Sequence, residues 1–447
     1  MTTKKLTRRQ RILVATTLFG MFFGAGNLIF PVHLGQMAGS NVIPAIIGFI
    51  ITAVGIPIFG VAAIGVTHSD GLQTLSGKVG KGYGIFFTCL LYLTIGPLFA
   101  IPRCATVSFT TGVSPMLPET AQPLALLLFS AVFFAFVLFF SLRPGKITVW
   151  IGKIINPVFL LFLAVLVIAA LLKPGASISD VAPTEPYATK TSAFFSSFIE
   201  GYGTMDAIAG LAFGIVVVQV IRDLGVEKAE AVAMTTVRSG IFSCLLMGVI
   251  YLLVTVMGTW SRGALETAPN GGAALAQIAQ HYLGHVGLLV LAATVTLACL
   301  KTAVGLITSC AETFEGMFPK ALSYRQWVLV FCGASFLFAN VGLTAIITYA
   351  VPVLMFLYPL AITLILLALL GRFFDHDRAV YCWVTGLTLV AALYDLLRTL
   401  PEGVRALLHA DGLIAAVGNV LPFATIGLGW VAPAVLGLVI GLIFRAV

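Results

Sequence analysis

The chain has 447 residues, of which 60% are hydrophobic and only 9% charged, with a mean hydropathy of +1.07. A water-soluble domain needs more polar surface than this, so water is excluded as the main solvent. The net charge of +8 points to no nucleic-acid partner, because the charges sort along the chain as they do in a membrane protein.

Apolar runs of about 18 residues or more can each cross a hydrocarbon core about 30 Å thick at about 1.5 Å per residue. Twelve are read, at 12–38, 42–67, 83–112, 122–141, 147–172, 193–221, 235–259, 286–316, 326–341, 343–370, 379–397 and 414–444, and are called spans 1 to 12. Backbone in lipid must satisfy itself, which leaves helices or a closed barrel. Runs of this length exclude the barrel, whose strands need only about ten alternating residues. The first run follows a basic terminus, as in a signal peptide, but lacks a small-residue cleavage site and continues to Ala38, so a retained helix is expected.

With the amino terminus inside, the inner segments hold Lys4, Lys5, Arg8, Arg9, Arg11, Lys78, Lys81, Arg143, Lys146, Lys153, Arg222, Lys228, Arg238, Lys320, Arg325, Arg372, Arg378 and Arg445. The outer segments hold only Lys173, Lys190, Arg262, Arg398 and Arg405. This positive-inside bias and the even span count are expected to put both termini in the cytoplasm. The expected organisation is a first five-helix repeat over 1–172, a second and inverted one over 193–370, and two accessory helices over 371–447. The longest loops, 173–192 and 261–285, carry Pro183, Pro186, Pro269 and Asn270-Gly271-Gly272 and are candidate lids or short surface helices. Cys89, Cys104, Cys244, Cys299, Cys310, Cys332 and Cys382 all lie in apolar segments, with neither disulfide nor metal spacing. No cofactor is expected.

Spans 1 and 6 are unusual in the same way. Span 1 reads Phe19-Gly20-Met21-Phe22-Phe23-Gly24-Ala25-Gly26-Asn27, and span 6 reads Glu200-Gly201-Tyr202-Gly203-Thr204-Met205-Asp206. Each glycine costs a helix about 1 kcal/mol relative to alanine, so both spans are expected to break there. Two breaks five spans apart suit an inverted repeat. The bland reading is that Gly20 and Gly24 only let helices pack closely. Asn27 and Asp206 argue for more, because an amide and a carboxylate in lipid mark a substrate or ion pathway. Asp206 also has a simpler reading, as a cap on the second half-helix helped by Thr204.

These residues resemble the signature of the bacterial branched-chain amino acid:cation symporters. Phe23-Gly24-Ala25-Gly26-Asn27-Leu28-Ile29-Phe30-Pro31 carries the resemblance, with Gly96-Pro97-Leu98-Phe99-Ala100-Ile101-Pro102-Arg103, Gly201-Tyr202-Gly203-Thr204-Met205-Asp206 and Cys299-Leu300-Lys301-Thr302-Ala303-Val304-Gly305-Leu306. The resemblance implies an all-α, leucine-transporter-type fold that moves leucine, isoleucine and valine inward with a coupling cation, Na+ or H+. A zwitterion needs donors for its carboxylate, acceptors for its ammonium and an apolar wall. Amides near Ala25, Gly26 and Asn27 suit the carboxylate. Freed carbonyls around Phe22, Tyr202 and Gly203 suit the ammonium, with Thr204 and Asp206 close by, and Tyr202 with apolar residues of spans 3 and 8 is expected to wall the side chain.

Arg103 offers two readings: a clamp on the substrate carboxylate, or a donor to the carbonyls of Leu93 and Leu98, which Pro97 and Pro102 leave without backbone partners. The second is the expectation. Glu200, Asp223 and Glu312 sit near span ends, where solvated or helix-pairing roles are expected. In the related fold, one sodium site pairs span-1 carbonyls with two hydroxyl residues of span 8, and matching the spans sets Gly20 and Phe23 opposite Lys301 and Thr302. Thr302 keeps its hydroxyl, but Lys301 replaces what is usually a small uncharged residue. Its ammonium is expected to stand in for sodium, leaving uptake sodium-independent and responsive to protons, unless a second sodium site near Asn27 persists. The plainer reading is a lysine paired structurally with a carboxylate or carbonyls. Rival functions are a channel, for which no filter-like repeat is present, an enzyme, for which no metal or nucleophile motif is present, an exchanger or uniporter, and a non-transporting amino-acid sensor. The remaining partner is membrane lipid, and the oligomeric state has no sequence signal.

Overall fold

The computed structural model describes residues 6–446 apart from Ala25, His68, Asp70, Pro144, Gly145 and Glu227. Every regular element among the described residues is helical. Among the described residues seven helices are long and apolar enough to cross a membrane, or eight when Lys190–Thr204 and Asp206–Asp223, bent by 43° at their break, count as one span. Large apolar side chains on one face of span 4, Leu124, Leu128, Val132 and Phe136, are exposed at four-residue spacing, and Leu161, Val165, Ile168 and Leu172 of span 5 repeat the pattern. In water such a surface would aggregate, whereas in lipid it is the outer wall.

Span 1 starts at a capping box in which the Gln10 N–H donates to the Thr7 hydroxyl at 3.3 Å and the Thr7 N–H donates to Gln10 Oε1 at 2.9 Å. It breaks as expected, into Arg8–Phe22 and Gly26–Ala38. Span 6 breaks into Lys190–Glu200, a tight turn over Gly201–Thr204 and Asp206–Asp223. Met205, at the junction, has φ of 65°, a left-handed conformation that a side chain with a Cβ adopts at a cost of about 1–2 kcal/mol. The chain holds it there through packing, because Met205 is buried.

Span 3 is a third broken helix. Lys81–Leu93 passes through a widened turn over Thr94–Leu98, where Gly96 leaves helical geometry, before Ala100–Gly112 resumes. Gly96 and Pro97 explain it: proline cannot donate to the helix ladder, and the glycine has no Cβ to resist the bend. Cys310 of span 8 fits the notch, its thiol 3.6 Å from the Tyr92 carbonyl that the break sets free.

Span 12 departs from expectation. Residues 414–444 are not one helix: Asp411–Gly418 ends, a looped stretch holds Phe423 and Gly427 at φ of 62° and 75°, and the helix resumes as Val431–Ala446. Asn419, Pro422 and the glycines interrupt an otherwise apolar run. The expected surface helix in 261–285 also differs. A helix begins at Gly271, capped by the Asn270 side chain accepting from the Ala273 N–H at 3.0 Å, and runs into span 8 through a kink at Gly284, where φ is 63°. Its Gly271, Leu275, Ile278 and Ala279 are buried, and Gly271 lies on the Ile29 carbonyl so closely that no Cβ could stand there.

Candidate functional site

The breaks in spans 1 and 6 lie side by side and are tied directly. The Asn27 Nδ2 donates to Asp206 Oδ2 at 2.5 Å and to the Tyr251 hydroxyl of span 7, while Asn27 Oδ1 accepts the Gly24 N–H at 2.9 Å. One amide side chain therefore holds its own broken backbone and bridges two further spans. Asn27, Asp206 and Tyr251 are all buried, so each would be costly without the others. The expected cap by Asp206 is not formed: its carboxylate turns to Asn27, and Thr204 serves the half-helix start instead, its Oγ1 accepting the Asp206 N–H at 3.3 Å while its hydroxyl donates to the Gly201 carbonyl at 2.9 Å.

The carbonyls around the span 6 break have partners, three of the four from neighbouring spans. Phe198 accepts from Thr52 Oγ1 of span 2 at 2.8 Å, Tyr202 from the Met205 N–H at 3.0 Å, and Gly203 and Thr204 from the two Arg103 terminal nitrogens at 2.5 and 3.4 Å. Arg103 is thus a structural donor, but not to Leu93 and Leu98. The span 3 break swings its side chain into span 6, where its positive charge meets the carbonyl end of the first half-helix and its guanidinium lies 5.4 Å from the Phe30 ring centre. The Tyr202 and Gly203 carbonyls, the expected ammonium acceptors, thus each already accept one hydrogen bond and keep a second lone pair.

The glycines serve close approach as well as breakage. A Cβ on Gly26 would stand 2.9 Å from Arg103 Nη2, and one on Gly203 would stand 2.7 Å from two carbons of the Phe30 ring. Gly24 differs: a Cβ there would meet Thr302 at an ordinary 3.7 Å. Thr302 therefore faces the span 1 break, with its hydroxyl donating to Ala298 at 3.1 Å. Phe22 is buried at the end of the first half-helix, and Phe23 stacks on Phe19 with ring centres 4.8 Å apart. Lys301 and Gly20 are partly exposed, and among the described residues Lys301 makes no hydrogen bond or ion pair. Ala25 lies outside the described residues. No cluster of three or more metal-ligating side chains occurs among the described residues.

A cavity of about 300 Å³ opens against this junction. Its floor is Phe30, Arg103, Tyr202 and Gly203; Ile29 and His33 extend it along span 1, Ile199 and Glu200 along span 6, and Ile347, Val351, Leu354 and Met355 close it from span 10. The apolar wall thus comes from spans 1, 6 and 10 rather than from spans 3 and 8. Tyr202 stacks on Tyr358 of span 10 with ring centres 4.0 Å apart and planes 18° apart, which fixes its ring beneath the cavity. Of the residues picked out in the sequence, Tyr202 and Gly203 line the cavity, while Gly26, Asn27, Thr204 and Asp206 form the junction around it.

Sequence reasoning missed Tyr251, Tyr358 and Thr52, and misread Glu200. A hydroxyl within each apolar run marked the first three, and only their contacts separate them from other such hydroxyls. Glu200 is not at a span end: it immediately precedes the break, lines the cavity, and accepts a hydrogen bond from the Tyr187 hydroxyl.

Residues 7–447 match the family model described as branched-chain amino acid transport protein. The branched-chain amino acid permease BrnQ of Lactobacillus delbrueckii subsp. lactis is 50% identical over 431 residues, covering 96% of this chain and 95% of the relative. The permease of the same name from Bacillus subtilis (strain 168) is 38% identical over 445 residues, 98% of each chain. Among solved structures, the nucleobase-cation-symport-1 family transporter Mhp1, closed with bromovinylhydantoin bound, aligns with a TM-score of 0.61 at 17% identity over 98% of this chain and 92% of that one. MhsT in complex with L-phenylalanine aligns with a TM-score of 0.55 at 16% identity over 89% and 99%. The fold is therefore of the leucine-transporter type.

Proposed function

This chain belongs to the branched-chain amino acid transport protein family, and from that premise we propose that it imports leucine, isoleucine and valine as a cation-coupled secondary transporter working by alternating access. The observation that carries the reading is the junction of the two broken spans, held by Asn27 and Asp206 beneath a cavity of about 300 Å³ with branched apolar walls. Irregular backbone at membrane depth is tolerated where it lines a cavity or packed interior, and substrate sites of inverted-repeat transporters form at such breaks. The proposed substrate site comprises Phe22, Ala25, Gly26, Asn27, Tyr202, Gly203, Thr204 and Asp206, and the cavity adds Ile347, Val351 and Leu354 for the aliphatic side chain.

The proposed coupling site is Gly20, Phe23, Lys301 and Thr302, supported by Thr302 standing beside Gly24. Lys301 shares a helix face with Gly305, Thr308 and Glu312, all partly or fully exposed. In this reading the Lys301 ammonium stands in for a bound sodium ion and exchanges a proton with water that reaches this face. A second sodium site near Asn27 has less support, because Gly24, Asp206 and Tyr251 already engage both atoms of that amide. One imported cation contributes about 2.3 kcal/mol per 100 mV, and a tenfold gradient adds about 1.4 kcal/mol. Together they sustain roughly a 500-fold accumulation.

The test is labelled leucine uptake and counterflow in proteoliposomes, with competition by isoleucine, valine and unrelated amino acids. Saturable uptake that unlabelled leucine accelerates by counterflow is expected. Leucine binding without counterflow would make the protein a sensor, and unsaturable flux would make it a channel.

A further inference from the structure

A zwitterion in the cavity needs a carboxylate partner and an ammonium partner, and a carboxylate meets an ammonium more strongly than a carbonyl that already accepts one hydrogen bond. The carbonyls of Phe198, Tyr202, Gly203 and Thr204 already accept from Thr52, Met205 and Arg103. Asp206 lies below the floor and accepts from Asn27. Glu200 is the one carboxylate lining the cavity among the described residues. The Tyr187 hydroxyl donates to its Oε2, which orients the carboxylate and leaves its other oxygen for a second donor. Arg103 also lines the cavity, and a guanidinium has five N–H donors, so contacts to two carbonyls leave several unused.

We propose that Glu200 is the specificity-determining residue for the substrate α-ammonium, with Arg103, across the cavity floor, receiving the α-carboxylate and Ile347 and Val351 of span 10 packing the branched side chain. The assignment rests on the transport reading above and refines its site. Glu200 and Arg103 meet the charged ends of an α-amino acid, and the aliphatic wall selects leucine, isoleucine and valine from among the amino acids. A substrate lacking either charge leaves a charged side chain in an apolar cavity without its partner, which is how a site rejects an analogue most strongly.

The test is equilibrium binding of labelled leucine to the purified full-length protein, with 4-methylpentanoate, which is leucine without its ammonium, as competitor. In the wild type leucine binds far more tightly than 4-methylpentanoate. Glu200→Gln is expected to weaken leucine about ten- to a hundredfold, the range for loss of a hydrogen bond to a charged group, and to leave 4-methylpentanoate unchanged, so that discrimination between the two collapses. Glu200→Asp should recover part of it. Tyr187→Phe removes the loop contact but keeps the carboxylate, and should hold leucine affinity within about threefold. Unchanged leucine affinity in Glu200→Gln, or equal losses in Glu200→Gln and Tyr187→Phe, would reduce Glu200 to a latch for the 173–189 loop and overturn the assignment. A wild type that binds no branched-chain amino acid fails earlier, at the transport reading.

Discussion

Replacing Asn27 by alanine tests whether the two breaks act as one unit. The side chain makes three hydrogen bonds: to Asp206 at 2.5 Å, from the Gly24 N–H at 2.9 Å, and to the Tyr251 hydroxyl. A hydrogen bond contributes about 0.5–1.5 kcal/mol and a buried polar group left unpaired costs about 1–3 kcal/mol, so Asn27→Ala should destabilise the fold by about 4 kcal/mol. Much of that loss is the cost of leaving Asp206, only 3% exposed, without its donor. The two residues should therefore be strongly coupled. In a double-mutant cycle, Asp206→Ala should cost about 2 kcal/mol less on the Asn27→Ala background than on the wild type. Denaturant unfolding of the purified protein in mixed micelles gives the four free energies, and leucine affinity measured on the same samples should fall with either single change. Additivity to within about 0.5 kcal/mol would show that the contact does not join the spans, and the reasoning from a shared junction would fail.

Gly26→Leu and Gly203→Leu should insert in the membrane yet lose leucine binding, because even a Cβ at these positions meets Arg103 or Phe30 inside 3.0 Å; normal binding in both variants would remove the junction as the site. Asp206→Asn is nearly isosteric and keeps an oxygen for Asn27, so a fall in uptake or a changed pH dependence would identify the carboxyl group as functional, and wild-type behaviour would leave Asp206 a structural role only. Uptake driven by imposed sodium or proton gradients should be sodium-independent in the wild type and altered in Lys301→Thr, whereas strict sodium dependence in both would show that Lys301 does not replace the ion. The exposed pair of Arg445 with Asp375 should be dispensable: Asp375→Asn is expected to leave the thermal melting point in detergent unchanged at physiological salt, where screening weakens such contacts.

Composition and run length by themselves settle that the chain is a bundle of apolar helices, because lipid admits no other backbone arrangement for runs this long. The breaks in spans 1 and 6 were legible too, since glycine clusters beside Asn27 and Asp206 conflict locally with helix. Which groups satisfy the freed backbone was not legible. That depended on Gly96 and Pro97 bending span 3 so that Arg103 reaches span 6 rather than its own carbonyls. It depended on span 10, not spans 3 and 8, supplying the aliphatic wall through Ile347, Val351 and Leu354, with Tyr358 stacked on Tyr202. The same holds for Glu200, whose position in the chain suggests a solvated helix end and whose surroundings in space are a cavity wall. Periodicity and propensity are local properties that a sequence carries residue by residue. A hydrogen bond between residues more than a hundred positions apart, such as Arg103 with Thr204, exists only once the spans have packed, and packing between helices follows shape that no single run encodes.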